Sequence, residues 1–207
     1  MPHAIGLAAH DISCQRGGRT IYRDVSFRLA PGEALLVTGS NGAGKTSLLR
    51  QIAGLLPLAS GDLRLEGGEP DAERPELCHY VGHADAVKTR LSVGENLAFW
   101  ADFLGEGRAD LRAALAAFGL GTLADLPAGL LSAGQKRRLA LTRLFAAPRP
   151  IWLLDEPQSS LDAAALKLLD GALKGHLDAG GVAVVASHTK LDTKFAKRLT
   201  LGKERVA

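Results

Sequence analysis

Between the apolar run Ala34-Leu35-Leu36-Val37 and a leucine-bearing segment opening at Ser47 lies the octet Gly39-Ser40-Asn41-Gly42-Ala43-Gly44-Lys45-Thr46. The order strand, glycine loop, helix start, with the spacing G-x-x-x-x-G-K-T, builds a cradle for phosphate. Glycines let backbone N–H groups turn inward around an anion, and the N-terminus of the following helix adds its free donors and partial positive charge. In such a loop Lys45 reaches the β- and γ-phosphates of a nucleotide, the Thr46 hydroxyl is offered to Mg²⁺, and Ser47 closes the binding stretch 39–47.

The 207 residues are 46% hydrophobic and 23% charged, enough apolar material for one compact α/β domain. A formal net charge of +3 suits an anionic ligand but does not argue for a nucleic-acid partner, and none is expected. Cys14 and Cys78 are far apart and lack a C-x-x-C or Cys/His pattern, so neither a disulfide framework, a metal site nor a haem-attachment motif is expected, and a reducing compartment fits. No charged-then-apolar signal pattern opens the chain, and no apolar run reaches the roughly 18 residues that span a bilayer. A membrane span, if the function needs one, is expected from a partner.

Alternating residues from Ile5 to Ile12 and from Val25 to Leu29 predict antiparallel strands leading through Pro31-Gly32 into the strand before the octet. A helix is predicted from Lys45 to Ala53, short strands over 62–65 and 77–81, and a polar loop over 70–75. Ser92 and Glu95 form a capping-box pattern ahead of Leu97, Phe99, Trp100 and Phe103, and these three aromatics read as core. A helix follows from Asp110 to Phe118, closed by Gly119. Leu131-Ser132-Ala133-Gly134-Gln135 opens another, through the basic trio 136–138, that Pro148 ends. Ile151-Trp152-Leu153-Leu154 is a buried strand running into Asp155-Glu156, Leu166, Leu169, Leu173 and Leu177 form a helical core stripe, and 181–187 is the last clear buried strand, with His188 at its exit. Strands alternating with helices predict a mainly parallel sheet, with ligands at the carboxyl ends of its strands.

Phosphoryl transfer to water needs a phosphate cradle, a divalent cation and a group that orients or deprotonates the water. Asp155 is placed to hold Mg²⁺, Glu156 to act as general base, and His188 to bond the γ-phosphate or the attacking water.

The octet, LSAGQ, IWLLDE, SSLD and the strand-end His188, in that order, resemble the nucleotide-binding subunit of ATP-binding-cassette transporters over nearly the whole chain. The resemblance implies an α/β P-loop NTPase of ABC ATPase type, with a mainly parallel core sheet, an antiparallel β lobe and a helical subdomain. Residues 1–207 would form one such unit, with 1–82 and 148–207 as nucleotide-binding core and β lobe and 83–147 as helical subdomain. It implies ATP and Mg²⁺, and a head-to-tail homodimer in which Ser132, Gly134 and Gln135 meet the γ-phosphate held by the other copy. Asp162 matches the dimer-communication segment and is equally an N-cap.

Three positions depart from the usual pattern: His83 replaces a glutamine that senses the membrane partner, Arg16 stands where an aromatic stacks on adenine, and Ala133 replaces a glycine. Arg16 could stack its guanidinium on the base or simply face solvent. With GHADAVKTRLSVGENL and LSAGQKRR, these departures resemble the cytochrome c maturation branch of the family. That implies an ATPase, peripheral on the cytoplasmic face of the inner membrane, docked on integral subunits of the CcmB and CcmC kind and driving release of a haem-loaded chaperone. Rival readings are an ATPase for another cargo such as a lipid or small molecule, a soluble remodelling ATPase, and a GTPase suggested by Thr189-Lys190-Leu191-Asp192, which lacks its D-x-x-G companion.

Overall fold

A computed structural model describes residues 5–67, 74–104, 110–189 and 191–202. Residues 70–73 of the expected polar loop and Lys190 lie outside them. Strands β1 (Gly6–Arg16), β2 (Arg19–Leu29) and β4 (Ser60–Glu66) form an antiparallel sheet in the order β2-β1-β4. The hairpin is longer than its alternation indicates. Bulges interrupt β1 after Ala9, and Asp11 takes a left-handed φ of 47°, held by mutual hydrogen bonds with Ser26.

Strand β3 (Ala34–Gly39) leaves that lobe for a second sheet, joined by β5 (Cys78–Val81), β6 (Ile151–Asp155), β7 (Val182–Ala186) and β8 (Lys197–Leu201). The order is β5-β6-β7-β3-β8, and each pairing is parallel. The helices are α1 (Lys45–Ile52), the single turn α2 (Arg74–Leu77), α3 (Val93–Leu104), α4 (Leu111–Ala117), α5 (Ala133–Ala146) and α6 (Ala163–Asp178). The pleat sorts the strand residues between two layers. Leu35, Val37, Leu153 and Val184 pack with Leu48, Leu49 and Ile52 of α1 and with the antiparallel sheet. Ala34, Leu154, Ala183 and Val185 face Leu141 and Leu144 of α5 and Leu169 and Leu173 of α6. Each fully buried leucine contributes about 1.5–3 kcal/mol of apolar burial. A third cluster joins α3, α4 and α5 through Val93, Leu97, Ala101, Leu115 and Leu139.

One strand is added and one expectation changes. Strand β8 went unpredicted and follows β7, which remains the last buried strand. Its Lys197-Arg198-Leu199-Thr200-Leu201 lies at a sheet edge, where charged side chains face water and hide the apolar pattern. The aromatics of α3 are not core: Phe103 is 70% exposed and Phe99 37%, while the buried stripe of the helix is Val93, Leu97 and Ala101. The rings pack on one another, with Lys88 over Phe99 and Arg143 over Trp100. Both cysteines are buried free thiols, and burial pushes Cys78 up to about 12. Among the described residues no helix is long and apolar enough to cross a membrane.

Candidate active site

The loop 39–46 is shaped by what leans on it. A Cβ at Gly39, which has φ 142°, would lie 2.5 Å from the Leu201 carbonyl oxygen, so edge strand β8 requires glycine there. At Gly44, φ 99°, a Cβ would meet Ile21 Cγ2 at 2.6 Å, and this contact seats the antiparallel lobe on the loop. Gly44 also starts α1 with no side-chain cap, so no side chain competes for the amides of the first turn. Lys45 Nζ donates to the carbonyls of Gly39 (2.9 Å) and Ser40 (3.2 Å), and lies 2.8 Å from His188 Nε2.

The carboxylates arrive from the carboxyl end of β6. Asp155 is buried, and its Oδ2 accepts from the Thr46 hydroxyl at 2.7 Å. Glu156 turns out of the strand with φ 47°, its amide donating to the Ala186 carbonyl at 2.9 Å. Its Oε2 accepts from Gln158 Nε2 (2.5 Å) and from the His188 amide (3.4 Å), and its Oε1 lies 3.4 Å from His188 Nε2. His188 therefore stands between Lys45 and Glu156. Lys45, Thr46, Asp155 and Glu156 border a cleft of about 350 Å³, lined also by Ile21, Asn41, Gly42, Gly44, Ser47 and His83, whereas His188 lines a neighbouring hollow with Thr38 and Ser187.

Other expected residues lie elsewhere on the chain. Ser132 and Gln135 make a reciprocal capping box at the start of α5, with Ser132 Oγ accepting from the Gln135 amide and Gln135 Oε1 from the Ser132 amide. Gly134 packs so closely that a Cβ would lie 2.7 Å from the Ser160 carbonyl oxygen. Asp162 caps α6 by accepting from the Ala165 amide at 2.7 Å, and Arg16 ends β1, paired in register with Arg19. None of these five lines the cleft. Three residues of the site went unread in the sequence. Ile21 alternates like any strand residue, and Gln158 carries no motif signal. Arg137 shares a helix face with the core residues Leu141 and Leu144, four and seven positions on, and that spacing was the available clue.

Among the described residues no three His, Cys, Asp or Glu cluster as metal ligands. A hydroxyl bonded to one buried carboxylate suits Mg²⁺ instead, which keeps waters and takes further oxygens from substrate phosphates.

The chain belongs to the ABC transporter family: residues 22–159 match it, and the parallel sheet, the loop 39–46 and the strand-end acids together define an ATP-binding, ATP-hydrolysing subunit. A putative ABC transporter ATP-binding protein from Pyrococcus furiosus superposes with a TM-score of 0.81 over 95% of this chain and 97% of that one, at 21% identity, and so shares the fold. A structure of an ATP-binding subunit of an ABC transporter gives 0.77 over 88% and 79%, at 23% identity. Within the family the chain groups with the cytochrome c biogenesis ATP-binding export proteins called CcmA. It is 49% identical to that of Nitrobacter winogradskyi and 52% identical to that of Rhodopseudomonas palustris strain BisB18, covering 95% of this chain and 98% of the relative in both cases.

Proposed function

We propose that this chain is the ATP-hydrolysing subunit of a cytochrome c biogenesis export complex, working in haem export from the cytoplasmic face of the membrane on integral subunits of the CcmB and CcmC kind. The similarity to CcmA proteins over 95% of the chain supports the pathway. The single observation carrying the chemistry is that Lys45, Thr46, Asp155 and Glu156 line one cleft, with His188 in contact with both Lys45 and Glu156.

ATP enters with its phosphates along residues 39–47. Lys45 exchanges the carbonyls of Gly39 and Ser40 for β- and γ-phosphate oxygens, a charge-assisted pairing stronger than the one it leaves. Thr46 and Asp155 would hold Mg²⁺, which neutralises charge on the phosphates when bound. Glu156 takes a proton from the water attacking the γ-phosphorus, and the bond to the β-phosphate oxygen breaks to release ADP and phosphate. A positioned base of this kind contributes about 10²–10⁴ in rate. His188, relieved of Lys45, donates to a γ-phosphate oxygen or bonds the attacking water. A second copy supplies Ser132, Gly134 and Gln135 across the nucleotide: the capping box leaves the amides of Ala133 and Gly134 at the start of α5 to face an anion, and none of the three residues lines the cleft of their own chain. His83 lines the cleft and links it to the helical layer 83–147, the part we assign to the membrane subunits.

Glu156→Gln tests the assignment. ATP turnover falls by at least a hundredfold while ATP binding persists and a nucleotide-bound dimer accumulates in size-exclusion chromatography; unchanged turnover would remove Glu156 from the role of base.

A further inference from the structure

Arg137 lies in the second turn of α5 with its side chain 2% exposed. Its Nε donates to the Pro157 carbonyl (3.1 Å), Nη1 to the Gly82 carbonyl (2.9 Å) and to Asp85 Oδ1 (3.0 Å), and Nη2 to the carbonyls of Asp155 (3.0 Å) and Glu156 (2.8 Å). These five bonds use every N–H of the guanidinium. Burying a guanidinium carries a heavy desolvation cost, and apolar residues of similar volume are often as stable or more so. Its one carboxylate partner among the described residues, Asp85, is 28% exposed, so mutual attraction is a weak reason for the charge to be there.

What the fork secures is geometry. It grips three consecutive carbonyls, of residues 155, 156 and 157, and the middle one belongs to Glu156 at φ 47°. A non-glycine residue in that region is strained and persists only where its surroundings hold it. The same fork grips Gly82 and Asp85 on either side of His83, which lines the cleft. Its own helix begins at the Ser132 cap. None of its hydrogen bonds reaches residues 39–47.

We infer that Arg137 is a positioning residue for hydrolysis: it fixes the backbone that aims Glu156 and ties that aim to the His83 segment and to the helix capped by Ser132. The inference rests on Glu156 serving as base. Arg137 thus acts on turnover and leaves nucleotide capture to the loop. A displacement of about 1 Å in a reacting group can cost on the order of 10²-fold in rate, so loosening this fork has a large effect on kcat.

The test is a cycle on the full chain with Arg137→Lys, Glu156→Gln and the double variant, reading kcat, KM and the Kd of a fluorescent ATP analogue. Lysine keeps the charge and loses the fork. Arg137→Lys should lower kcat 10- to 100-fold with KM and Kd within threefold, and should change the residual turnover of Glu156→Gln by less than twofold, because the group it aims is already gone. Kd weakening in step with kcat, unchanged kcat, or effects that multiply independently would overturn the inference. Failure of the base assignment is read separately, from full turnover in Glu156→Gln alone. Should Arg137→Lys not fold, Asp85→Ala removes one of the five bonds at a part-exposed position; a three- to tenfold loss in kcat at constant Kd supports the inference, and an unchanged kcat refutes it.

Discussion

The Thr46 hydroxyl donates to Asp155 Oδ2 over 2.7 Å, although 109 residues of chain separate them. One end of this bond opens α1 and the other closes β6, so the parallel sheet delivers a hydroxyl and a carboxylate to one point at its carboxyl edge. A cation held by both would replace the bond with its own charge. Asp155→Asn keeps the shape and the acceptor oxygen while removing the anion. The expected result is at least a tenfold rise in the Mg²⁺ concentration for half-maximal turnover, with Mg-free ATP binding within threefold. An unaltered Mg²⁺ titration places the cation elsewhere.

Lys45 is buried against the carbonyls of its own loop, which keeps the ammonium hydrogen-bonded until phosphate takes those partners' place. Hydrogen bonds to charged groups are worth about 1.5–3 kcal/mol. Lys45→Ala therefore weakens ATP binding roughly 10- to 150-fold at about 1.4 kcal/mol per factor of ten. Calorimetric titration checks this, and wild-type affinity would refute the phosphate cradle.

Two buried histidines set a pH dependence of stability. Burial pulls His79 down from 6.5 to about 3 and His176 to about 4, and each ring sits neutral beside a backbone carbonyl, His79 Nε2 at 2.6 Å from Ala147 O and His176 Nε2 at 3.2 Å from Val182 O. Above pH 6.5 both folded and unfolded forms are neutral and the full stability is present. As pH falls below 6.5 the unfolded chain takes up protons that the folded chain refuses, so stability declines toward pH 4, each group contributing a slope of up to about 1.4 kcal/mol per pH unit. Denaturant midpoints should fall between pH 7 and 5. His79→Phe should start lower and fall less steeply; an equal slope would acquit His79.

Much of the site was legible in the sequence because its signals are local. The octet, the acids after four apolar residues and the helix opened by residues 131–135 each declare themselves within a few positions, whereas the reciprocal Ser132/Gln135 cap emerged only in the fold. What stayed hidden depends on tertiary placement. The charged edge strand β8 resembles a loop until β3 pairs with it. Helical periodicity groups Phe99 with Phe103 but does not say which side of α3 a neighbour covers. Arg137 was read as one of a basic trio, and only the fold shows its fork filled by carbonyls from two distant segments.

That placement of α3 has a measurable consequence. Truncating a core phenylalanine costs about 3–5 kcal/mol, whereas surface changes stay within about 0.5 kcal/mol. With Phe103 70% exposed, Phe103→Ser should shift the chemical unfolding free energy by less than about 1 kcal/mol, allowing for its contacts with Phe99 and Trp100. A loss above about 3 kcal/mol would return the residue to the core.

Gly134 separates packing from chemistry at the start of α5. An added Cβ would stand 2.7 Å from the Ser160 carbonyl, and Ser160 itself has φ 64°, so both sides of the contact are backbone with little room to yield. Overpacking of this kind costs about 1–3 kcal/mol. Gly134→Ala should therefore lower the unfolding midpoint of the nucleotide-free chain, before any second copy or γ-phosphate is involved. Ala133, one residue earlier, is exposed and already carries the methyl group, so Ala133→Gly should lack that steric effect and cost only about 1 kcal/mol or less in helix propensity. Thermal unfolding without nucleotide distinguishes the cases: if Gly134→Ala leaves the midpoint unchanged, the glycine is required only by the nucleotide interface and the Ser160 contact is incidental.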